Sequence, residues 1–298
     1  MQRYTINDFN RDYPNEDACL ERLKNRRYPD GSTCGKCQRE TKYHRDADRK
    51  SYSCQWCGHH VHPTAGTIFH KSTTPLRSWF HAVFLMAQTR CGISAKQLER
   101  TLGVTYKTAW RMFHQIRKML ADDHDEPLSG TVEADETYMG GRRRGTKRGR
   151  PGKDSHKTPV FGMAERKGDD GKGRIVATTV PDTKRKTVMP HIKKKVLPES
   201  MVYTDEYTVY DSLNREGYRH DRVNHTQEVY VSGDVHTNTI EGFWSLLKRG
   251  IAGVYHSVSA RHLQGYLNEY AFRYNHRKDE RPMFLTMLSR VSAAGPTG

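Results

Sequence analysis

Two sets of side chains in this sequence have the type and spacing to do chemistry. The first is sulphur: Cys34-Gly-Lys-Cys37 and Cys54-Gln-Trp-Cys57 are C-x-x-C pairs with 16 residues between them. Zinc takes four soft ligands in a tetrahedron, and two such pairs supply them when a hairpin brings them together. The second set is carboxylate. Asp135 follows Val132 and Ala134 in a run that reads as a strand, and Asp205 closes the run Met201-Val-Tyr-Thr. An acid closing a buried strand is costly without a partner or a metal. Further on, Glu241 heads a helical stripe of Ile240, Phe243, Leu247 and Ile251, with Lys248 two turns along the same face to reach phosphate. Acids so placed suit phosphodiester cleavage, in which two divalent cations about 3.5–4 Å apart serve the attacking and leaving oxygens. Magnesium accepts only a few carboxylates and keeps waters and substrate phosphate.

Each set also has a plainer reading. Two disulfides would use the same four cysteines, but disulfides are rare inside cells and the spacing fits zinc better. Cys19 and Cys91 are left over, and His44, His59, His60 and His62 lie close by, yet four cysteines already close a structural site. Asn238 with Glu241 three residues on has the spacing of a capping box; two strand-end aspartates upstream favour the metal over the cap. Glu133 shares a strand face with Asp135 and is a further candidate ligand, whereas Glu136 points the other way. Glu206 reads as a solvated or salt-bridged neighbour of Asp205. His225 and His236 are candidates to orient water or contact phosphate, and Trp244 to pack beneath the site.

These groups need a scaffold, and 298 residues suffice for two or three domains. Lys and Arg number 50 against 34 Asp and Glu, a formal charge of +16, which calls for a polyanionic partner. A membrane is the weaker choice, because the longest mostly apolar run, residues 79–87, is about half the length that spans a bilayer. The first ten residues carry no apolar signal core. A helical segment over 1–31 is predicted from Asn15 as cap with Leu20 and Leu23 on one face. A zinc ribbon and connector follow over 32–72, with the hairpin between the cysteine pairs. After Pro75 the spacing of Leu76, Trp79, Phe80, Val83 and Phe84 predicts a helix. Ser94 then caps a helix with Leu98 and Leu102 on its apolar face, ended by Gly103. A second helix from Thr105 buries Ala109, Trp110, Phe113, Ile116 and Leu120. This makes 73–122 a helix-turn-helix domain, with Lys107, Thr108, Arg111 and Gln115 facing a major groove. An acidic break precedes the last domain, 128–285, and a tail over 286–298. In it strands are expected over 131–138, 158–166, 174–180 and 201–205, a weaker one over 218–223, a basic helix over 183–197 interrupted by Pro190, and helix from 238 to 277. Residues 142–157 hold eight Lys and Arg without an apolar residue. Arg142, Arg143, Arg148 and Arg150 there suit phosphate, and Arg148-Gly-Arg-Pro resembles a minor-groove hook.

The blocks Val132-Glu-Ala-Asp-Glu-Thr-Tyr-Met-Gly-Gly, Val202-Tyr-Thr-Asp, His236-Thr-Asn-Thr-Ile-Glu-Gly-Phe-Trp-Ser-Leu-Leu-Lys-Arg and Tyr270-Ala-Phe-Arg-Tyr-Asn-His-Arg, with the ribbon before them, resemble the bacterial zinc-ribbon insertion-sequence transposases of the DDE class, the ISXO-type group. The resemblance runs from about Cys34 to Arg277. It implies an α/β, ribonuclease H-like catalytic domain preceded by a zinc ribbon and a helix-turn-helix domain. It implies Asp135, Asp205 and Glu241 as the catalytic, magnesium-binding (or manganese-binding) triad, with Lys248 beside it and Zn²⁺ on the four cysteines. Some relatives use Asn at the third position, and Asn238 lies one turn before Glu241. Also implied are binding of the terminal inverted repeats, cleavage and strand transfer on double-stranded DNA, a homodimer or larger synaptic assembly, and a cytoplasmic, nucleoid-associated place in a bacterium. Two rivals use the same features: a catalytically silent DNA-binding regulator derived from a transposase, and a structure-specific nuclease without strand transfer.

Overall fold

In the computed structural model, which describes residues 4–121, 126–140, 157–168, 171–223 and 236–292, the chain divides into two units. One joins Met1–Leu120 to Asp279–Gly298; the other is Ala121–Lys278.

The first unit opens with helix α1 (Ile6–Asp12), started by a capping box in which Thr5 and Asp8 exchange bonds. Asn15 caps α2 (Glu16–Arg27), accepting from the Ala18 amide, and Leu20 and Leu23 are buried as their spacing predicts. The ribbon consists of strands β1 (Ser32–Thr33), β2 (Glu40–Thr41), β3 (Tyr43–Arg45), β4 (Tyr52–Cys54) and β5 (His60–Val61), paired β1–β2 and β3–β4–β5, all antiparallel. Helix α3 (Leu76–Gln88) begins after Pro75 without a side-chain cap of its own. Glu16 supplies one: its carboxylate accepts from the amides of Leu76 (2.8 Å) and Arg77 (3.1 Å) while pairing with Lys50 of the ribbon (2.6 Å). Helices α4 (Ala95–Leu102) and α5 (Tyr106–Met119) meet at Gly103, whose φ of 65° only glycine adopts without strain. Ser94 and Thr105 cap them, accepting from Gln97 and Thr108.

In the second unit five strands form one sheet in the order β10-β9-β6-β7-β8. They are β6 (Thr131–Met139), β7 (Thr158–Glu165), β8 (Ile175–Thr179), β9 (Met201–Thr204) and β10 (Arg219–Arg222). β6, β7 and β8 run antiparallel in turn, whereas β9 lies parallel to β6 and β10 parallel to β9. The period-two alternation of β6 separates two cores. Val132 and Ala134 face α6 (Arg185–Lys195), with Phe161, Met163, Val188, Ile192 and Val202. Met139, on the other face, packs with α7 (Asn238–Gly250) and α8 (Ala260–Asn275) through Ile240, Phe243, Trp244, Leu247 and Leu267. The continuous helix expected over 238–277 is broken: a π-helical turn, Ile251–Tyr255, follows α7, and His256 takes φ 59° before α8 starts. Gly250 lets the two helices close, since a Cβ there would sit 1.7 Å from the Tyr270 hydroxyl. Pro190 stays inside α6.

Helix α9 (Met283–Ser289) belongs to the first unit. Its Phe284 packs on Tyr4, Phe9, Tyr13 and Phe84. The limits expected from sequence, a last domain to 285 and a loose tail after it, therefore differ from the packing, which turns at residue 279. No helix among the described residues is long and apolar enough to cross a membrane.

Candidate active site

The four cysteines come together. Cys34 and Cys57 Sγ are 3.8 Å apart, Cys37 and Cys54 Sγ 3.9 Å, and all four lie within 4.8 Å of one another. Tetrahedral zinc with bonds of about 2.3 Å puts its sulphurs about 3.8 Å apart, so the set fits that ion. The two knuckles are built alike. The Gln38 amide donates to Cys34 O and the Gly58 amide to Cys54 O, each residue turning left-handed at φ 58° and 66°. Burial pushes the Cys54 thiol up, but the Thr41 hydroxyl and the Cys57 and Trp56 amides outweigh it and hold it at about 6. The neighbouring His60 is engaged elsewhere, its Nδ1 lying 3.0 Å from Asp46.

The carboxylates occupy one face of the sheet in the second unit. Glu133 of β6 is registered with Tyr203 of the parallel β9. Two residues further along in each case come Asp135, still within β6, and Asp205, near enough for its charge to act on Asp135. Asp205 stands just past the end of β9, its Oδ1 accepting from the Tyr207 amide at 3.1 Å. Asp135 Oδ2 accepts from Trp244 Nε1 of α7 at 3.0 Å. Burial first, then the Glu136 and Asp205 carboxylates, push Asp135 up to about 7. A buried carboxyl raised by the charges beside it is one that a hard divalent cation would stabilise as carboxylate. Glu241 is exposed in the first turn of α7 and accepts from the Thr237 hydroxyl at 2.6 Å. It sits one helical turn before Trp244, the residue that touches Asp135. The three acids do not close to within 4.8 Å of one another; among the described residues only the cysteines form such a group.

The plainer reading of Glu241 as a capping residue does not match this geometry. Thr237 is the N-cap of α7 and its own side chain makes no capping bond, while the Asn238 amide donates to His236 Nδ1 at 3.4 Å. The amides of Thr239 and Ile240 donate instead to Glu133 Oε2, at 2.8 and 2.9 Å. Glu133, fully buried, is thereby engaged by the helix and not turned toward the aspartates' solvent side. Glu136 lies on the opposite face, as expected, accepting from the buried Tyr210 hydroxyl at 2.5 Å. Glu206 and Asn238 are exposed, and Lys248 lines a cleft of about 330 Å³ with Tyr138, Gly140, His256 and Ser257. Trp244 packs under Asp135 because Gly162, paired with Asp135 across β6 and β7, has no Cβ: one there would lie 2.4 Å from the indole. Gly162→Ala is expected to cost ~1–3 kcal/mol and to break the indole bond to Asp135. Thermal melting with tryptophan fluorescence checks it, and an unchanged melting temperature would show the indole free to move aside.

Family comparison decides the relationship. Residues 127–275 match the ISXO2-like transposase domain, and residues 14–60 the transposase zinc-ribbon domain. A protein of Halobacterium salinarum described as an uncharacterized protein in transposable element ISH50 is 30% identical over 263 residues, covering 83% of this chain and 86% of its own. The chain belongs to the ISXO2-like transposase family. An uncharacterized transposase-like protein of Haemophilus influenzae is 32% identical over 104 residues, 35% of this chain and 83% of its own. Among solved structures, the Mos1 strand transfer complex gives a TM-score of 0.29 at 11% identity, covering 74% of this chain and 78% of that one. The pre-cleavage Mos1 transpososome gives 0.26 at 12%, covering 69% and 75%. Likenesses of that size carry no argument.

In this ISXO2-like transposase, the residues expected to face a groove divide. Lys107 and Arg111 of α5 are exposed, Arg111 lying over the Trp79 ring at 5.8 Å. Thr108 is half-buried, and the Gln115 amide oxygen is buried without a partner among the described residues. Trp110, expected in the buried stripe, is 38% exposed and lies against His114, their ring centres 3.8 Å apart. Met112 takes the buried place, because Ala109, Met112, Phe113 and Ile116 hold the three-four spacing and Trp110 falls about 100° outside it. Arg142, Arg143, Arg148, Arg150 and His225 lie outside the described residues. Sequence reasoning missed Arg166, the partner of Glu133; a lone arginine after a strand carries no local signal.

Proposed function

We propose that the chain is a DNA transposase of the DDE class. On this reading it binds the terminal inverted repeats of its element through the ribbon and a helix-turn-helix formed by α4 and α5. It then cleaves and joins DNA strands with Asp135, Asp205 and Glu241, on a catalytic domain of ribonuclease H-like type. The observation that carries the reading is the nearness of Asp135, on β6, to Asp205, just past the end of the parallel β9, with the helix that begins near Glu241 bonded to Asp135 through Trp244. The sheet order, three antiparallel strands followed by two parallel ones, supports the fold assignment. The three acids would hold Mg²⁺ (or Mn²⁺), which when bound supplies neutralisation of the attacking and leaving oxygens. The residues around it bind and orient. Lys248 meets a phosphate at the mouth of the cleft, and the Trp244 N–H holds one Asp135 oxygen so that the other faces substrate. The substrate is double-stranded DNA, both element end and target, worked on by a homodimer or larger synaptic assembly.

The deciding experiment uses DNA carrying the gene's own flanks, with Mg²⁺ or with chelator, and with wild type or Asp205→Asn. Metal-dependent nicking at the repeat boundary plus a joined product, both lost in the variant, is the expected result. Cleavage without joining would make the chain a nuclease; binding without cleavage in either protein would make it a regulator. For the groove-facing helix, Lys107→Ala and Arg111→Ala are each expected to weaken end binding and to flatten the slope of log affinity against log salt by about 1. Titrations at several salt concentrations test this, and an unchanged slope in both would remove α5 from the interface.

A further inference from the structure

Glu133 is fully buried, and a buried carboxylate is costly unless it is paired and hydrogen-bonded. Here both oxygens are used. Oε1 accepts from Arg166 Nε at 2.7 Å, and Oε2 from the Thr239 and Ile240 amides in the first turn of α7. A negative charge at a helix N-terminus is favoured by the helix dipole as well. Arg166, one residue past β7, reaches further. Its backbone amide donates to Thr131 O of β6 at 2.9 Å, and its guanidinium lies 4.6 Å from the ring centre of Tyr203 in β9. One of its terminal nitrogens donates to the carbonyl of His236 at 2.6 Å and lies 2.9 Å from His236 Nδ1.

The contact points matter by position. Glu133 precedes Asp135 by two residues on β6, and Tyr203, registered with Glu133, precedes by two the Asp205 that stands just past the end of β9. His236 leads into the helix that bears Glu241. We infer that Glu133 and Arg166 form a positioning clamp that sets α7, and with it Glu241, against the two aspartate-bearing strands. This rests on the active-site reading above. The clamp takes the place of a cap from the Thr237 side chain: two of the amides in the first turn, those of Thr239 and Ile240, are tied to β6 instead. Sites of this kind tolerate displacements of only about 0.5 Å, and their supporting partners are worth about 10- to 100-fold in activity or metal affinity. An ion pair that only held the fold would change stability and leave the reaction as it is.

The test compares the full-length, zinc-loaded protein with Glu133→Gln and Arg166→Lys, using Asp135→Asn and Glu241→Gln as references. Glutamine keeps the shape and one acceptor oxygen; lysine keeps the charge and loses the fork. In both clamp variants, hydrogen exchange in metal-free buffer is expected to quicken over residues 236–243 and not in the ribbon. Cleavage of pre-bound end DNA should fall about 10- to 100-fold, and the half-maximal Mn²⁺ concentration should rise about tenfold, with DNA affinity within about twofold of wild type. Wild-type cleavage and Mn²⁺ dependence despite faster exchange would reduce the pair to a structural one and overturn the proposal. Unchanged exchange would overturn it too, by showing that the carboxylate does not hold the helix. Should Glu133→Gln fail to fold, Arg166→Lys carries the same readouts. If Asp135→Asn and Glu241→Gln cleave like wild type, the active-site reading itself falls, a result distinct from either outcome for the clamp.

Discussion

Asp135→Asn is expected to abolish strand cleavage and, in metal-free buffer at pH 8, to melt several degrees above the wild-type protein. Both effects come from one carboxyl. An ordinary aspartate titrates near 3.8, and burial with the Glu136 and Asp205 charges pushes this one to about 7. Between those values the unfolded chain has lost the proton that the folded chain keeps. Stability therefore falls as pH climbs from about 4 to about 7 and stays lowered above that. The deficit is on the order of 2–4 kcal/mol, allowing for the solvent that reaches one side of the group. Asparagine removes the charge and with it the deficit, so the two melting curves should converge below about pH 4. Added Mn²⁺ should raise the wild-type melting temperature and leave the variant's nearly unchanged. The rate should drop about a thousandfold or more, since a residue that works as one of a set is lost. Melting of Ala121–Lys278 followed across pH 4–8, beside a cleavage assay, tests both halves. A variant less stable than wild type at pH 8 would show that Asp135 is not strained by its neighbours, and wild-type cleavage would take it out of the reaction.

What the sequence disclosed follows the range of the forces involved. The cysteine knuckles are local: four residues, a left-handed turn after each and one hydrogen bond apiece, so spacing alone suffices. The strand leading to each aspartate shows in its apolar residues, although β6 runs on past Asp135 to Met139 and only Asp205 stands at a strand's end. Glu133 is different. It shares the period and the face of Asp135, and nothing in the chain around it says that its oxygens meet the amides of a helix more than a hundred residues later. That depends on which strand residue stands under the helix end, a matter of tertiary register. The same reason hid Arg166.

The short elements failed to show for a related cause. Helices α1 and α9 have seven residues each, too few to hold themselves in water, and they exist because Phe9 and Phe284 pack with Phe84. Trp110 was misjudged by one step of the helical wheel, since a large aromatic ring next to a buried stripe reads as part of it. Its exposure beside Lys107 and Arg111 leaves an aromatic group on the face proposed to meet DNA, a placement that burial alone would not select.

Removing the metal from the ribbon is expected to unfold it and to abolish recognition of element ends. β1, β2 and β5 have two residues each, β3 and β4 three. Strands so short do not stand without a further constraint. Structural zinc supplies about 10–16 kcal/mol in small zinc-finger peptides, far more than those strand pairs. The wild-type protein should therefore hold one zinc per chain, and Co²⁺ in its place should give the absorption of a tetrahedral thiolate site. Cys54→Ser should lose the ion, become open to protease within residues 32–62, and bind element ends no better than unrelated DNA. The damage should stop at α3: Arg45 and Lys50 bind the ribbon to Asp17 and Glu16, but the bonds from Glu16 to the Leu76 and Arg77 amides do not pass through the metal. Reductant without chelator separates the two readings of the cysteines. A zinc ribbon withstands it, whereas a pair of disulfides would open and expose the same stretch to protease. Retention of end binding by Cys54→Ser would remove the ribbon from recognition and leave α5 to account for it.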